Sequence, residues 1–166
     1  MKLNSGILLL CACLVLVAQA RATDLPDACG KDAAKFDVTK KAGQPVPAAP
    51  AAGKAQIIFF EDGDFIATAR FGMDGVWVGA DKGNSYFAVD VSPGLHHLCG
   101  NLQGKGQFDL IPIRVEPGKV YFFAAQIVDV AEGGRTFAFV QLNDDQAAYR
   151  LKNWKQSTFK LKPEEH

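Results

Sequence analysis

Short apolar runs separated by turn signals dominate the chain from Ala55 to Leu142. The runs are rich in β-branched and aromatic residues, and several alternate apolar and polar positions with the period of two that a strand requires. They read AQIIFF, FIATARF, VWVGA, YFAVDV, LHHLCGNLQ, FDLIPIRV, the stretch 119–128 and RTFAFVQL. Many short strands with glycine-rich turns predict an all-β domain, and specifically an antiparallel β-sandwich of the immunoglobulin-like kind.

Three turns carry specific predictions. Asp74-Gly75 is a turn signal between two of the strand candidates. Pro93-Gly94 follows Ser92, so that proline and glycine occupy the two central positions of a type II turn. Pro117-Gly118 repeats the same V-x-P-G pattern and again precedes a strand. We therefore name Asp74, Gly75, Pro93, Gly94, Pro117 and Gly118 as structural turn residues.

Two further features predict how the strands are layered. The stretch 119–128 is apolar on both faces, which indicates a central strand covered on both sides. Pro112 cannot donate a backbone hydrogen bond, so its strand should be an edge or carry a bulge. One short helix is predicted late in the chain, capped by Asn143 or Asp144 and packed on the sheet. Its apolar stripe consists of Ala147, Ala148 and Leu151.

The first 22 residues have the three-part pattern of a secretory signal peptide. Lys2 precedes an apolar run from Ile7 to Val17, and small residues then favour cleavage after Ala22 or, second, after Ala20. The apolar run is shorter than a membrane span requires, so we expect no stable transmembrane segment after cleavage. The "LCAC" within this run is a poor lipidation signal. The protein is therefore predicted to be exported to the periplasm or the medium without a lipid anchor.

Removal of residues 1–22 leaves 144 residues with 16 basic and 18 acidic side chains. This near-neutral balance argues against nucleic acid as a partner, and the length suits one domain. We predict an extended N-terminal segment with a Pro/Ala-rich linker over residues 23–53, a β-sandwich domain over 54–152 and a C-terminal tail over 153–166.

Two cysteines, Cys29 and Cys99, remain in the exported chain. An even count in an oxidising compartment favours a disulfide. The bond would close a loop of roughly 70 residues and pin the segment that precedes the linker. Whether the two cysteines come within bonding distance is left open by the sequence.

His96 and His97, close to Cys99, raise the alternative of a metal or catalytic site. Neighbours on a strand point to opposite faces, so the two imidazoles should not bind one ion together. A zinc site needs three or four ligands, and only Cys29 and His166 remain as further candidates. We therefore predict no catalytic residues, no metal and no cofactor, and we keep as an alternative a small metal-dependent hydrolase that uses His97 and Cys99.

The ordered series GKAQIIFF, DGVWVG, SYFAVDVSPGLHHL, IRVEPGKVYFF and FVQLND, between Gly53 and Leu151, resembles a bacterial exported family, domain of unknown function 2846. Members of that family look related to PEGA-type β-sandwich modules. The resemblance implies an exported, non-enzymatic β-sandwich and brings no catalytic residues with it. Many relatives keep a clear lipobox, which this chain lacks.

These observations predict a secreted or periplasmic module with a binding or structural role in the cell envelope. Its partner would be an envelope component or a glycan. A more specific alternative is a carbohydrate- or cell-wall-binding accessory module that uses exposed aromatic residues. For that alternative, Trp77 and His96 are the candidate ligand contacts.

Overall fold

The computed structural model of the protein describes residues 29–31, 33–41, 47–63, 67–131 and 133–163. The predicted signal peptide and His166 lie outside the described residues. The described chain forms one helix, α1 (Asp144–Asn153), and ten strands. The strands are β1 (Phe36–Lys40), β2 (Ala55–Glu61), β3 (Ala69–Met73), β4 (Val76–Asp81), β5 (Ser85–Val91), β6 (Gly94–Leu102), β7 (Phe108–Val115), β8 (Val120–Val130), β9 (Gly134–Gln141) and β10 (Lys155–Leu161).

The strands form two sheets packed face to face. Sheet I has the order β1-β10-β5-β2-β8-β9, and sheet II has the order β4-β3-β6-β7. This architecture is a β-sandwich with one short helix, which confirms the predicted fold class. Two neighbouring pairs in sheet I, β10 with β5 and β2 with β8, are parallel, whereas the other pairs are antiparallel. Parallel neighbours need a long crossover, and between β2 and β8 the chain supplies one by passing through sheet II.

The core between the sheets is largely aromatic. Phe59 of sheet I contacts Phe71 of sheet II with ring centroids 4.8 Å apart. Phe87 and Phe139 lie 5.3 and 6.3 Å from the same ring. Tilted and edge-on aromatic pairs at such distances add to the stabilisation from buried apolar area. The twelve phenylalanines of the sequence thus supply much of the contact between the two sheets.

Helix α1 covers the outer face of sheet I. Asn143 caps it, and a capping box forms because the Asn143 and Gln146 side chains each accept a hydrogen bond from the other's backbone N–H. Ala147 is buried in a second core, as predicted, whereas Ala148 is exposed. The stripe that packs on the sheet runs through Ala147 and Leu151, four residues apart on one helix face. The strands beneath are therefore covered on both sides, as predicted for 119–128.

The two Pro-Gly turns mark the places where the chain changes sheet. Pro93-Gly94 joins β5 of sheet I to β6 of sheet II, and Pro117-Gly118 joins β7 of sheet II to β8 of sheet I. Both glycines have positive φ, 142° and 75°. At the second corner the Lys119 amide donates to the Glu116 carbonyl at 3.3 Å, as a type II turn requires. The repeated motif thus forms corners of the sandwich, and the strands on either side of each corner do not pair with each other.

The predicted turn at Asp74-Gly75 and the predicted edge strand at Pro112 are both present in the structure. Asp74-Gly75 closes the hairpin between β3 and β4, with Met73 paired to Val76. Both turn residues have positive φ, 50° and 87°, as in the type I′ turn that suits the twist of a two-residue hairpin. Pro112 lies on β7, the edge strand of sheet II.

The sandwich is wider than the predicted 54–152 domain. Strand β1 lies in the predicted N-terminal segment and β10 in the predicted C-terminal tail. They pair with each other from Phe36 with Leu161 to Lys40 with Ser157, and β10 also pairs with β5. Both segments are rich in polar residues, so their sequence alone indicates a solvated tail. Hydrogen bonds between two distant parts of the chain make them strands.

Candidate functional site

Cys29 and Cys99 are joined by a disulfide whose Cα atoms lie 4.9 Å apart. Both residues are buried. The N-terminal segment passes over sheet II at Gly72, the β3 residue that pairs with Cys99. A Cβ atom on residue 72 would overlap the carbonyl oxygen of Cys29, so the close approach requires glycine at this position. The predicted disulfide is thus present, and it fixes the N-terminal segment on the outer face of sheet II.

Trp77, a predicted ligand contact, packs against the same N-terminal segment. Its indole N–H donates to the Lys31 carbonyl at 2.7 Å, and Gly30 lies against the ring edge. The Arg70 guanidinium carbon lies 4.4 Å from the ring centroid, which is cation–π distance. Because Arg70 already covers one face of this half-buried ring, Trp77 has less aromatic surface for a ligand than the sequence suggests.

His96 and His97 lie on β6, the first half-buried and the second exposed, as strand alternation requires. Both nevertheless approach the carboxylate of Asp74, in the turn of the neighbouring hairpin. His96 Nδ1 lies 2.5 Å from Asp74 Oδ2. His97 donates its backbone N–H to Asp74 Oδ1 at 2.9 Å, while its ring Nδ1 lies 4.0 Å away. A carboxylate, rather than a metal ion, therefore brings the two histidines together.

Both ring nitrogens of His96 face hydrogen-bond acceptors. Nδ1 faces the Asp74 carboxylate, and Nε2 lies 2.8 Å from the Ser92 carbonyl, so both neighbours are acceptors. Burial lowers the pKa of His96, but these two hydrogen bonds outweigh it and raise that pKa above 6.5. Burial likewise raises the pKa of Asp74, but the bonds from His96 and His97 outweigh it and lower that pKa below 3.8. With both ring nitrogens engaged by Asp74 and Ser92, His96 forms a structural clamp between the turn and the strand.

We expect His96→Gln to destabilise the protein by about 1 kcal/mol at pH 5.5 and by less at pH 8.5. A raised histidine pKa contributes stability that is fully present below the unfolded value of 6.5 and is lost as pH rises through the folded pKa. Denaturant midpoints at the two pH values measure the difference. His97→Gln is the control, since its backbone makes the closer contact with Asp74. An equal loss for His96→Gln at both pH values would contradict the clamp.

A cavity of about 360 Å³ opens beside helix α1, within the size range of small-ligand sites. Four separate segments form it: the loop after β2, the residue before β5, the middle of β8 and the last turn of α1. Its lining residues are Asp62, Gly63, Asn84, Gln126, Tyr149, Arg150 and Trp154.

Arg150 and Asp62 form a bidentate ion pair in the wall of this cavity. Arg150 Nε donates to Asp62 Oδ1 at 2.7 Å, and Nη2 donates to Oδ2. Gln126 donates to the same Oδ2 at 2.7 Å. The hydrogen bond with Asp62 raises the pKa of Arg150 and outweighs the effect of burial. Because the two charges neutralise each other, the cavity wall is polar and fixed but carries no net charge from this pair.

Two aromatic side chains complete the cavity. Tyr149 is 66% exposed. Trp154 is half-buried and has the Arg150 guanidinium carbon 5.3 Å from its ring centroid, so Tyr149 supplies most of the accessible aromatic surface. Among the described residues, no hydrogen bond engages the Tyr149 hydroxyl or the Asn84 carboxamide. The cavity therefore offers aromatic surface together with neutral donors and acceptors.

A pair of buried carboxyls lies next to this cavity, at one end of the core between the sheets. Glu61 ends β2 and Asp81 ends β4, and both are 0% exposed. Asp81 Oδ1 accepts hydrogen bonds from the Ser85 hydroxyl and, at 3.0 Å, from the Lys82 amide. Within the described part of the chain, Glu61 Oε1, Glu61 Oε2 and Asp81 Oδ2 have no hydrogen-bond partner.

Burial, together with the charge of Asp81, raises the pKa of Glu61 to about 8. Burial also raises the pKa of Asp81 to about 7, against an opposing hydrogen bond from Ser85. The amides of Gly83 and Asn84 lower the pKa of Glu61 only in part, because neither reaches hydrogen-bond geometry with its carboxyl. The Asn84 N–H is instead donated to the main-chain carbonyl of Glu61 at 3.1 Å. Near neutral pH the pair therefore retains a proton unless a cation replaces it.

The sequence pattern did not single out Glu61 or Asp81 as buried acids. A usable signal was present, because Ile57 and Phe59 belong to the core between the sheets and Glu61 continues the same face of β2. A charged residue that continues a buried stripe is a candidate for the interior. The cavity beside α1 has no comparable signal, since four segments distant in sequence form it.

The described residues do not assemble the alternative hydrolase site. The Cys99 sulfur is bonded to Cys29 and cannot act as a thiolate ligand or nucleophile. His97 is exposed beside Asp74, and the described chain contains no cluster of three or more His, Cys, Asp or Glu that could hold a metal ion.

Comparisons with protein-family models, with curated proteins and with solved structures find no match. The resemblance to domain of unknown function 2846 and to PEGA-type modules therefore stays a prediction. In the described part of the chain, no helix has the length and apolar character needed to cross a membrane. The fold and site define a disulfide-linked β-sandwich with a polar, aromatic-lined cavity beside its helix.

Proposed function

We propose that the protein is an exported, non-enzymatic β-sandwich module that binds a neutral glycan in the cavity beside helix α1. One observation carries the proposal. Exposed Tyr149 and half-buried Trp154 lie in the same cavity as an ion pair, Asp62 with Arg150, that neutralises itself.

The chemistry of a sugar suits these groups. Its C–H faces are apolar and pack on aromatic rings, and its hydroxyls pair with neutral donors and acceptors such as the Asn84 carboxamide. A cavity whose charges neutralise each other has no strong preference for an anion or a cation. Asp62 and Arg150 are also held in place by their mutual hydrogen bonds, so little ordering is needed when a ligand binds.

Export is supported by the disulfide. A buried bond between Cys29 and Cys99 persists in oxidising compartments and is rare in reducing ones. The predicted signal peptide directs the chain to such a compartment. Glycans of the cell envelope would be available there, in agreement with the binding role expected from the sequence.

A binding titration tests the proposal. The oxidised protein without residues 1–22 is titrated with oligomers of N-acetylglucosamine and of glucose, and with a polyanionic oligosaccharide as the charged comparison. We expect a neutral oligomer to bind, and Tyr149→Ala to weaken that binding about tenfold through loss of the stacking surface. Tyr149 is exposed, so the variant should keep the fold.

Phe108→Ala is the matched control, because Phe108 is an exposed aromatic on the edge strand β7. It should bind like the original protein. Trp77→Ala tests the site predicted from the sequence, and we expect it to retain binding. The proposal is wrong if no neutral oligomer binds, if only the polyanion binds, or if Tyr149→Ala binds as tightly as Phe108→Ala.

A further inference from the structure

Three carboxylate oxygens at one end of the sandwich core are buried without a hydrogen-bond donor among the described residues. They are Oε1 and Oε2 of Glu61 and Oδ2 of Asp81. Both residues are fully buried. A buried carboxylate without donors is strongly disfavoured, so such oxygens normally hold either a proton or a cation.

We propose that Glu61 and Asp81 form the binding site of one divalent cation with oxygen ligands, for which Ca²⁺ is the best fit. Glu61 has both oxygens available for bidentate coordination, and Asp81 adds a third. Neutral oxygens near the pair include the Ser85 hydroxyl, which bonds to Asp81, and the carbonyl of Gly83, a residue whose amide faces Glu61. An all-oxygen set of this kind suits Ca²⁺, which accepts irregular geometry and bidentate carboxylates, better than Mg²⁺, which requires a near-ideal octahedron. Without nitrogen or sulfur ligands, the site does not suit zinc.

The position of Lys40 supports a cation at this place. Its ammonium group donates to the Gly83 carbonyl and lowers the pKa of both Glu61 and Asp81 by its charge. It forms no ion pair with either carboxyl within 4.0 Å, and its side chain is exposed. Lys40 therefore neutralises Glu61 and Asp81 only in part. Its ammonium group also occupies the Gly83 carbonyl oxygen, which a bound cation would use as a ligand. A bound Ca²⁺ would displace the ammonium from Gly83.

The site is separate from the glycan cavity in its chemistry. Asp62 and Arg150 pair with each other, and Asp62 faces away from the acid pair toward helix α1. The results of the Ca²⁺ titration and of the glycan titration are therefore independent of each other. Among the described residues, the cavity lining comes near the proposed ligands at Asp62, the neighbour of Glu61, and at Asn84, the neighbour of Gly83.

Calorimetric titration of the oxidised protein with CaCl₂ at pH 8.5 tests the proposal, because the carboxyls must be ionised to bind the cation. We expect one Ca²⁺ per chain and a higher melting temperature with Ca²⁺ than with EDTA. Glu61→Gln and Asp81→Asn should each weaken binding at least tenfold. Lys40→Gln should strengthen it, since it removes a competing positive charge. Asp129→Asn, at a side chain that is 90% exposed, is the control and should bind as the original does.

Several results would overturn the site. In the first, the original protein at pH 8.5 binds no Ca²⁺ and melts at the same temperature with and without it. That result would show that Glu61 and Asp81 hold only a proton. The second is binding that persists in Glu61→Gln and Asp81→Asn, which would place the ion elsewhere. A third is tighter binding of Mg²⁺ than of Ca²⁺ in a parallel titration, which would contradict the assignment of the metal.

Discussion

The double variant Cys29→Ser, Cys99→Ser should melt roughly 10 to 15 °C below the original protein, because the crosslink contributes about 4 kcal/mol. The two cysteines are 70 residues apart in sequence, so the bond removes much conformational freedom from the unfolded chain. It also holds the N-terminal segment over Gly72 and against Trp77. Melting curves followed by circular dichroism at fixed pH measure the shift, and the strand content at low temperature should stay the same.

Reductant provides the matched control for this variant. Addition of a dithiol to the original protein should lower its melting temperature to nearly that of the double variant. The same dithiol should not affect the double variant, which has no sulfur pair to reduce. Two free thiols should appear per chain of residues 23–166 after reduction and none before it. A double variant that melts within about 2 °C of the original would contradict the stabilising role.

The second large effect concerns pH. In calcium-free buffer with EDTA, the free energy of unfolding should fall by on the order of 7 kcal/mol between pH 4.5 and pH 8.5. The buried pair raises the pKa of Glu61 to about 8 and that of Asp81 to about 7. Their unfolded values are near 4.5 and 3.8. Between these limits the unfolded chain binds fewer protons than the folded chain, so stability decreases as pH rises.

Variants separate this effect from other titrations. Glu61→Gln keeps the shape of the side chain but cannot ionise, and it also removes the negative charge that would face Asp81. It should therefore be less pH-dependent than the original and more stable at pH 8.5. Asp129→Asn, at an exposed carboxyl, should follow the original protein. Chemical denaturation at several pH values measures the curves, and a Glu61→Gln curve parallel to the original would refute the role of the pair.

His96 also lowers the free energy of unfolding as pH rises. Its pKa is raised in the folded state, so the stability that its protonated form contributes is lost when it deprotonates. The pH dependence that disappears in the His96→Gln variant measures the contribution of His96, which is then subtracted from the total. The contribution of His96 to the pH dependence is smaller than that of Glu61 and Asp81 because the groups differ in burial. The His96 clamp lies at a partly exposed turn, where water screens the charges, whereas Glu61 and Asp81 are fully buried and pay the full desolvation cost of ionisation.

Much of the local structure could be predicted from the sequence. The period-two pattern of the apolar runs predicts the strands of the central sandwich, because side chains alternate between two faces. Pro117-Gly118 predicts a type II turn, because proline fixes one φ and glycine tolerates the positive φ that follows. Asn143 predicts the start of α1, and Pro112 predicts an edge strand. Each of these signals depends on contacts between residues close in the chain.

The residues of the candidate site could not be identified from local sequence patterns in the same way. The sequence suggested Trp77 and His96 as ligand contacts, whereas in the structure the cavity with exposed aromatic surface lies beside Tyr149. Glu61 and Asp81 are 20 positions apart in the numbering and follow different strands. They come together through β5, because Ser85 pairs with Glu61 in sheet I and its hydroxyl donates to Asp81 of sheet II. Burial then changes both carboxyls from ordinary surface acids into groups that hold protons near neutral pH.

The sequence by itself determined that the chain would form a sandwich of short strands with one capped helix, and that two cysteines were available to crosslink it. The tertiary structure alone decided that β1 and β10 are strands, that the Pro-Gly turns are corners between sheets, and that Glu61 lies inside. Strand formation and turn geometry depend on the order of neighbouring residues. Strand partners and burial depend on contacts between residues far apart, such as Phe36 with Leu161, and no local pattern encodes them.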